Sequence, residues 1–378
     1  MSRFWLKVER NLTPWRFVVG FVLLYCLSCF LLARKLSDSD AVIAAPEAFD
    51  EASEAKIPRP EDVQAEEEQA QEEEEVFIPV PNQNTHVVEV GTLHTETYRC
   101  YMKDDDGNFL SLWHDVALHA EKPTPESPQL YNMIVEVPRY TNARLEISHF
   151  EPMNPIVHAH SEDGTLDYAR NVFPFQGYPF NYGSFPQTFT DPNQKGDQPA
   201  PGDGDLVDAI EISQRRRKTG DIVQVKVLGA MAFIVNNRLD WKVVCVDAED
   251  PLASRIKEVH QLEFVMPGII RAIHEFFSLY NLPKGGGFTP VAFKGAYRKV
   301  DVAEQILSVS HSLWKNVIAQ RQFGIPPETV IESRQPNGVV KASLKAWKTI
   351  VETSPARTEP GPKPAFVGKY YYVRTQQA

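Results

Sequence analysis

The stretch APGDGDLVDAIEI at residues 200–212 places Asp203, Asp205 and Asp208 within six positions, with Gly202 and Gly204 between them. Two chemistries suit that spacing. Asp and Gly together make reversals, because an Asp side chain can bond backbone N–H groups close by. Carboxylates crowded this closely also repel one another, and a hard cation such as Mg²⁺, which takes oxygen ligands, relieves the repulsion. A calcium loop of the EF-hand kind is excluded. Counted from Asp203, its sixth position holds Asp208 where Gly is required, and its twelfth holds Gln214 where Glu is required. Turn and cation site both remain open on this segment alone.

Other chemistry-bearing residues are scattered. Cys26 and Cys29 form a C-x-x-C inside an apolar run, without a surrounding βαβ pattern, and Cys100 and Cys245 are isolated. Neither a disulfide framework nor a redox pair is expected. His149, His158 and His160 lack zinc spacing and read as surface residues. Asp104, Asp105 and Asp106 run into Gly107 between two strand-like segments, which is a hairpin signal.

The elements that must hold the aspartates come in two blocks. Strand-like runs dominate first: ETYRCYMKDDDGNFLSLWHDVAL, NMIVEVPRYT closed by Pro138, DIVQVKVLGAMAFIV, and DWKVVCV. Helical spacing follows over 266–280 and 301–320, where Val302, Ile306, Val309, Leu313 and Val317 share one face. Strands first and helices later predict an α+β domain, a compact barrel with helices against its side.

The chain's 378 residues leave room for a sizeable core. Its net charge of −11 is local: residues 36–80 carry fifteen Asp and Glu against Lys56 and Arg59, so the remainder is close to neutral. A near-neutral globular part excludes a nucleic-acid surface, which would concentrate basic residues on one face. FVVGFVLLYCLSCFLLA, residues 17–33, is 17 residues without a charge, flanked by Trp15, Arg16, Arg34 and Lys35. That length just crosses a hydrocarbon core. No small-x-small cleavage site follows, so an uncleaved single span over about 15–34 is expected within segment 1–35. Residues 36–85 then read as an acidic, disordered tether. The globular domain is expected over 90–325 and a partly Pro-rich extension over 326–378. A mitochondrial inner membrane is the favoured location, with a secretory or acidic-organelle membrane as the alternative.

Six segments in order carry a resemblance: NMIVEVPRYTNARLEI, RNVFPFQGYPFNYGSFPQT, GDGDLVDAIEI, LGAMAF, DWKVVCVDAEDPLA and PGIIRAIHEFFSLY. Together, over roughly residues 95–322, the chain resembles the soluble, metal-dependent inorganic pyrophosphatases of the eukaryotic type. The resemblance implies a closed OB-like β-barrel with flanking helices, and hydrolysis of pyrophosphate to two phosphates with several Mg²⁺ ions. It implies metal ligation by Asp203, Asp208, Asp240 and Glu146, and it makes Asp205 the carboxylate that takes a proton from the attacking water. Lys242, Tyr182 and Tyr280 match phosphate contacts, Tyr178 lies near them, and Glu136 matches another acid lining the site. Metal ions acidify a bound water and cationic side chains hold the phosphoryl oxygens, which is why such chemistry needs these residue types.

Four positions depart from the pattern. Arg144 stands where the family has Lys, Asp167 replaces a phosphate-binding Arg, Val235 replaces a metal-binding Asp, and Asn281 replaces a phosphate-binding Lys. Arg170, Lys284 and Asn236 are the neighbours placed to compensate. Two readings follow. In the first, the domain has lost or strongly reduced hydrolysis, holds Mg²⁺ weakly, and serves as a structural or interaction subunit of a membrane complex. In the second it is an active Mg²⁺-dependent diphosphatase at a membrane surface, with pyrophosphate or phosphate as ligand. The departures favour the first. The basic run Arg215 to Lys218 reads as a solvated loop, or as a contact for anionic lipid or an acidic partner.

Overall fold

The computed structural model describes residues 85–120, 129–194, 196, 198–330 and 340–373. The apolar run 17–33 and the acidic tether up to residue 84 lie outside the described residues. Among the described residues, no helix is long and apolar enough to cross a membrane.

Five strands close into a barrel: β4 (Tyr131–Val137), β8 (Asn181–Phe185), β9 (Val207–Glu211), β10 (Ile222–Val235) and β11 (Arg238–Asp247). Around the barrel the order is β10-β11-β9-β8-β4, and β10 returns to β4. Only β9 and β11 run parallel; the other pairings are antiparallel. The strands form because their residues alternate between two apolar layers, as a period of two requires. Val207, Ala209, Val243 and Cys245 face one core layer, whereas Ile210, Val244 and Phe233 face the other. Gly183 on β8 marks a close approach, since a Cβ there would lie 1.8 Å from the Ile134 carbonyl oxygen. A side chain at that point would push β8 off β4.

A second sheet, ordered β1-β2-β6-β5, is built from β1 (Thr85–Val90), β2 (Arg99–Asp104), β6 (Ile156–His158) and β5 (Leu145–Ile147), with β3 (Phe109–Leu110) paired to β2. The Asp104–Gly107 reversal between β2 and β3 is the expected hairpin, with Gly107 at φ 86°. Helix α1 (Ile269–Leu279) packs Ile273, Phe276 and Phe277 into the layer of Ile210, Val244 and Phe233, and α2 (Val300–Gln320) adds Ala303, Ile306 and Leu307 to the layer of Val207 and Val243.

Past residue 340 the chain wraps the domain. Helix α3 (Leu344–Thr353), capped by Ser343, buries Trp347 and Val351 with Val90, Tyr101 and Phe109. Gly91 then exchanges backbone hydrogen bonds with Pro355 and Thr358. The arm ends at β12 (Tyr370–Tyr371), which pairs in parallel with β7 (Asn171–Val172). The extension therefore packs on its own domain.

Candidate active site

One cavity of 370 Å³ opens where a face of the barrel meets β5 and α1. Strand register explains how its acids gather. The parallel β9–β11 pairing sets Asp208 opposite Lys242, and the antiparallel β8–β9 pairing sets Ser184 opposite Asp208. Two-residue periodicity then places Asp240 beside Lys242 and Tyr182 beside Ser184 on that same face. A register break between Val135 and Val137 on β4 leaves Glu136 as the extra residue, and its carboxylate accepts from Ser184 Oγ at 3.0 Å and Ile147 N at 3.1 Å. Bulges often re-aim side chains beside sites in this way.

The aspartate-rich segment is both of the things its spacing suggested. Gly204 takes φ 84°, Asp205 N–H donates to Asp203 Oδ1, and Leu206 N–H donates to Asp205 Oδ1, so the segment is a turn. That turn also delivers Asp203 and Asp205 to the cavity wall, beside Asp208 at the start of β9. Each carboxylate has a donor: Thr190 for Asp203, His149 for Asp205 at 2.8 Å, and Lys242 with Tyr182 for Asp208 at 2.6 and 2.5 Å. Lys242 also bonds Asp240 at 2.9 Å and lies 4.5 Å over the Phe277 ring.

These neighbours set the charges. Burial, with Asp240 and Asp205 close by, pushes the Asp208 carboxyl up to about 7 in spite of Lys242. Burial works against the Lys242 ammonium, yet Asp208 and Asp240 outweigh it and hold the proton on more firmly than usual. Glu136, buried and facing Asp208 and Asp205, is raised well above the carboxylate range. Burial also opposes ionisation of Asp205, but the His149 ring outweighs it and lowers that carboxyl.

Glu146, Arg144, Tyr178 and Tyr280 complete the expected lining, with the two tyrosine hydroxyls 3.2 Å apart. Val235 and Asn281 line the cavity as well. Asp167 does not: it is buried behind Arg144, so its carboxylate is not part of the substrate wall. The compensating residues are also committed elsewhere. Arg170 stacks 4.1 Å over Phe366 and donates to Tyr371 Oη at 2.9 Å, and Lys284 pairs with Asp167 at 2.6 Å. Asn236 does reach the cavity, beside Arg238, a lining cation that the sequence reading did not single out.

Two further readings need correction. His149 and His158 are not surface residues: His149 lines the cavity against Trp113, at 4.9 Å between ring centroids, and His158 is buried against Tyr168. His160 is exposed, as expected. Nor is the basic run wholly solvated, because Arg217 pairs with buried Asp247 and leaves Arg215, Arg216 and Lys218 exposed.

Among the described residues, no three ligating side chains stand close enough together to hold an ion as they lie. The donor set nevertheless suits hard cations. Six acids line the cavity against the three cations Arg144, Arg238 and Lys242, and oxygen-rich, acid-excess sites are what Mg²⁺ takes.

Fold and cavity together define a barrel protein with an acid-rich, cation-studded cavity against one face of the barrel. An inorganic pyrophosphatase family model matches residues 133–315. The inorganic pyrophosphatase of Drosophila melanogaster is 40% identical over 234 residues, covering 62% of this chain and 68% of that one. The solved inorganic pyrophosphatase from Schistosoma japonicum is similar at a TM-score of 0.69 and 30% identity, covering 76% of this chain and 100% of that one. An N-terminally truncated vacuolar soluble pyrophosphatase from Trypanosoma cruzi, solved in complex with PPi, is similar at 0.57 and 32% identity over 64% of this chain and 95% of that one. The chain belongs to the inorganic pyrophosphatase family.

Proposed function

We propose that this domain binds Mg²⁺ and pyrophosphate but hydrolyses the anhydride at a strongly reduced rate, and that residues 17–33 tether it to a membrane, where it serves within a protein complex. The observation that carries the reduced rate is that Val235 and Asn281 both line the cavity, at the positions where the family resemblance calls for Asp and Lys. Arg170 and Lys284, the cations placed to replace the lost charge, are held by Tyr371 and Asp167. Losing one preorganised donor commonly costs roughly 10²–10³ in rate.

Binding has its own support. Asp203, Asp208, Asp240 and Glu146 are the residues that would hold Mg²⁺, which when bound acidifies water and neutralises phosphoryl charge. Asp205, ionised beside His149, is positioned to accept a proton from an attacking water. Lys242, Tyr182, Tyr280 and Arg144 present donors to an anion in the cavity. Without the Asn281→Lys charge the anion is held less firmly, and without the Val235→Asp ligand one metal is held less well.

The test restores both. V235D/N281K in the full chain should raise pyrophosphate hydrolysis by at least about tenfold over wild type, with each single reversion recovering little, because residues acting as a unit are non-additive. No gain in the double variant would contradict the assignment of the lost rate to these two positions.

A further inference from the structure

Asp167 occupies the family position of a phosphate-binding Arg, yet it faces away from the cavity and is engaged on two sides. Its side chain is 5% exposed. Lys284 Nζ lies 2.6 Å from Oδ1, Ser161 Oγ donates to the same oxygen at 3.2 Å, and Arg144 Nη1 stands 3.6 Å from Oδ2. Arg144 is tied to this residue through its backbone too, its N–H donating to the Asp167 carbonyl at 3.1 Å. On its other side the guanidinium lies 3.5 Å from Glu146 at the cavity wall.

These distances divide the work. The short contact belongs to Lys284, so most of the Asp167 charge is met by the lysine, and Arg144 is drawn only to a looser approach. Its side chain stays 42% exposed, with donors left for the cavity. Lys284 is itself fixed, with Nζ 4.2 Å over the ring of Tyr280, a cavity residue.

We infer that Asp167 and Lys284 are positioning residues for Arg144, setting its guanidinium between the buried carboxylate and the cavity so that it can grip a phosphoryl oxygen. The grip itself rests on the pyrophosphate-binding reading above; the positioning does not. One consequence separates this chain from its family. Restoring Arg at position 167 would place three cations in one buried spot, so D167R should harm the site, since buried like charges are costly.

The test uses the full chain in mild detergent and two readouts. Calorimetry with Mg²⁺ and pyrophosphate should show D167N and K284M each weakening affinity roughly tenfold or more, the scale of one charge-assisted contact. Neither change should weaken it further in an R144M background, because the effect runs through Arg144. Loss of the same size in that background would overturn the inference, since a merely structural role would persist there. The second readout needs no ligand. Mass spectrometry after phenylglyoxal treatment should show Arg144 reacting faster in D167N, where it is released, and slower in K284M, where it collapses onto Asp167. Equal Arg144 reactivity in all three proteins would overturn the positioning claim. A wild-type chain that binds no pyrophosphate would contradict the proposed function while Arg144 reactivity still decides this one. K284M, which keeps the Asp167–Arg144 pair, carries the test if D167N fails to fold.

Discussion

Asp208 is where a proton, a lysine and, in the function proposed above, a metal meet. Its carboxyl is raised to about 7 by burial and by Asp240 and Asp205, while Lys242 and Tyr182 both bond to Oδ2. The folded value lies above the unfolded one, roughly 3.9, so the metal-free domain is favoured below that pH and loses this contribution as pH rises through about 7. A metal needs the ionised form, so Mg²⁺ binding should release a proton and weaken as pH falls below about 7. Thermal shift should therefore register more Mg²⁺ stabilisation at pH 8 than at pH 6 in wild type, and little at either pH in D208N. Equal shifts at both pH values would remove Asp208 from the metal site. The aspartates were legible because carboxylates two and three positions apart beside glycines raise a cation site beside a turn, and the six ordered segments then decide between them. His149 was not: its partners, Trp113 and Asp205, lie far off in the chain, and its own neighbours Ser148 and Phe150 carry no spacing signal.

At the scale of elements, buried His114 ties α2 to the segment after it. Its Nδ1 accepts from Trp314 Nε1 at 3.0 Å and its Nε2 donates to the Pro326 carbonyl at 3.0 Å, which fixes a neutral ring. Burial pushes its pKa down to about 3. With the folded value below the unfolded one, its contribution is complete above about 6.5 and is lost as pH falls, by about 1.4 kcal/mol per unit at most. Denaturation should show the stability advantage of wild type over H114Q shrinking as pH drops from about 6.5 toward 3; a constant difference would mean that the ring is not held neutral. The C-terminal arm invites a second test. Trp347 is 4% exposed in a cluster with Tyr101 and Phe109. W347A should cost about 3–5 kcal/mol, the usual range for a buried Trp, and should speed proteolysis of the arm. An unchanged midpoint would mean that the arm adds nothing to the fold. Helices α1 and α2 were legible from their periodicity. The wrapping of the arm was not, because a Pro-rich segment has no core of its own and its docking face is made by β1, β2 and β3.

Across the whole molecule, charge and apolar length point the same way. The acidic excess lies in residues 36–80, leaving a near-neutral domain, and residues 17–33 form an uncharged run before it. Full-length chain should stay with membranes after carbonate washing, whereas a variant lacking residues 1–84 should be released; release of the full chain would sink the tether. The barrel was legible as a class from strands preceding helices and as a particular barrel from six ordered segments. Charge rearrangement at the site was only half legible: Val235 and Asn281 could be read as losses, but the capture of Lys284 by Asp167 required the two side chains to meet across 117 positions. In the function proposed above, this cavity binds pyrophosphate without turning it over at the family's rate. Steady-state phosphate release by the full chain in detergent with Mg²⁺ tests it most directly, beside an intact pyrophosphatase under the same conditions. The donor and ligand losses predict a rate at least about 10³-fold lower, and a rate within tenfold of the intact enzyme would contradict the account.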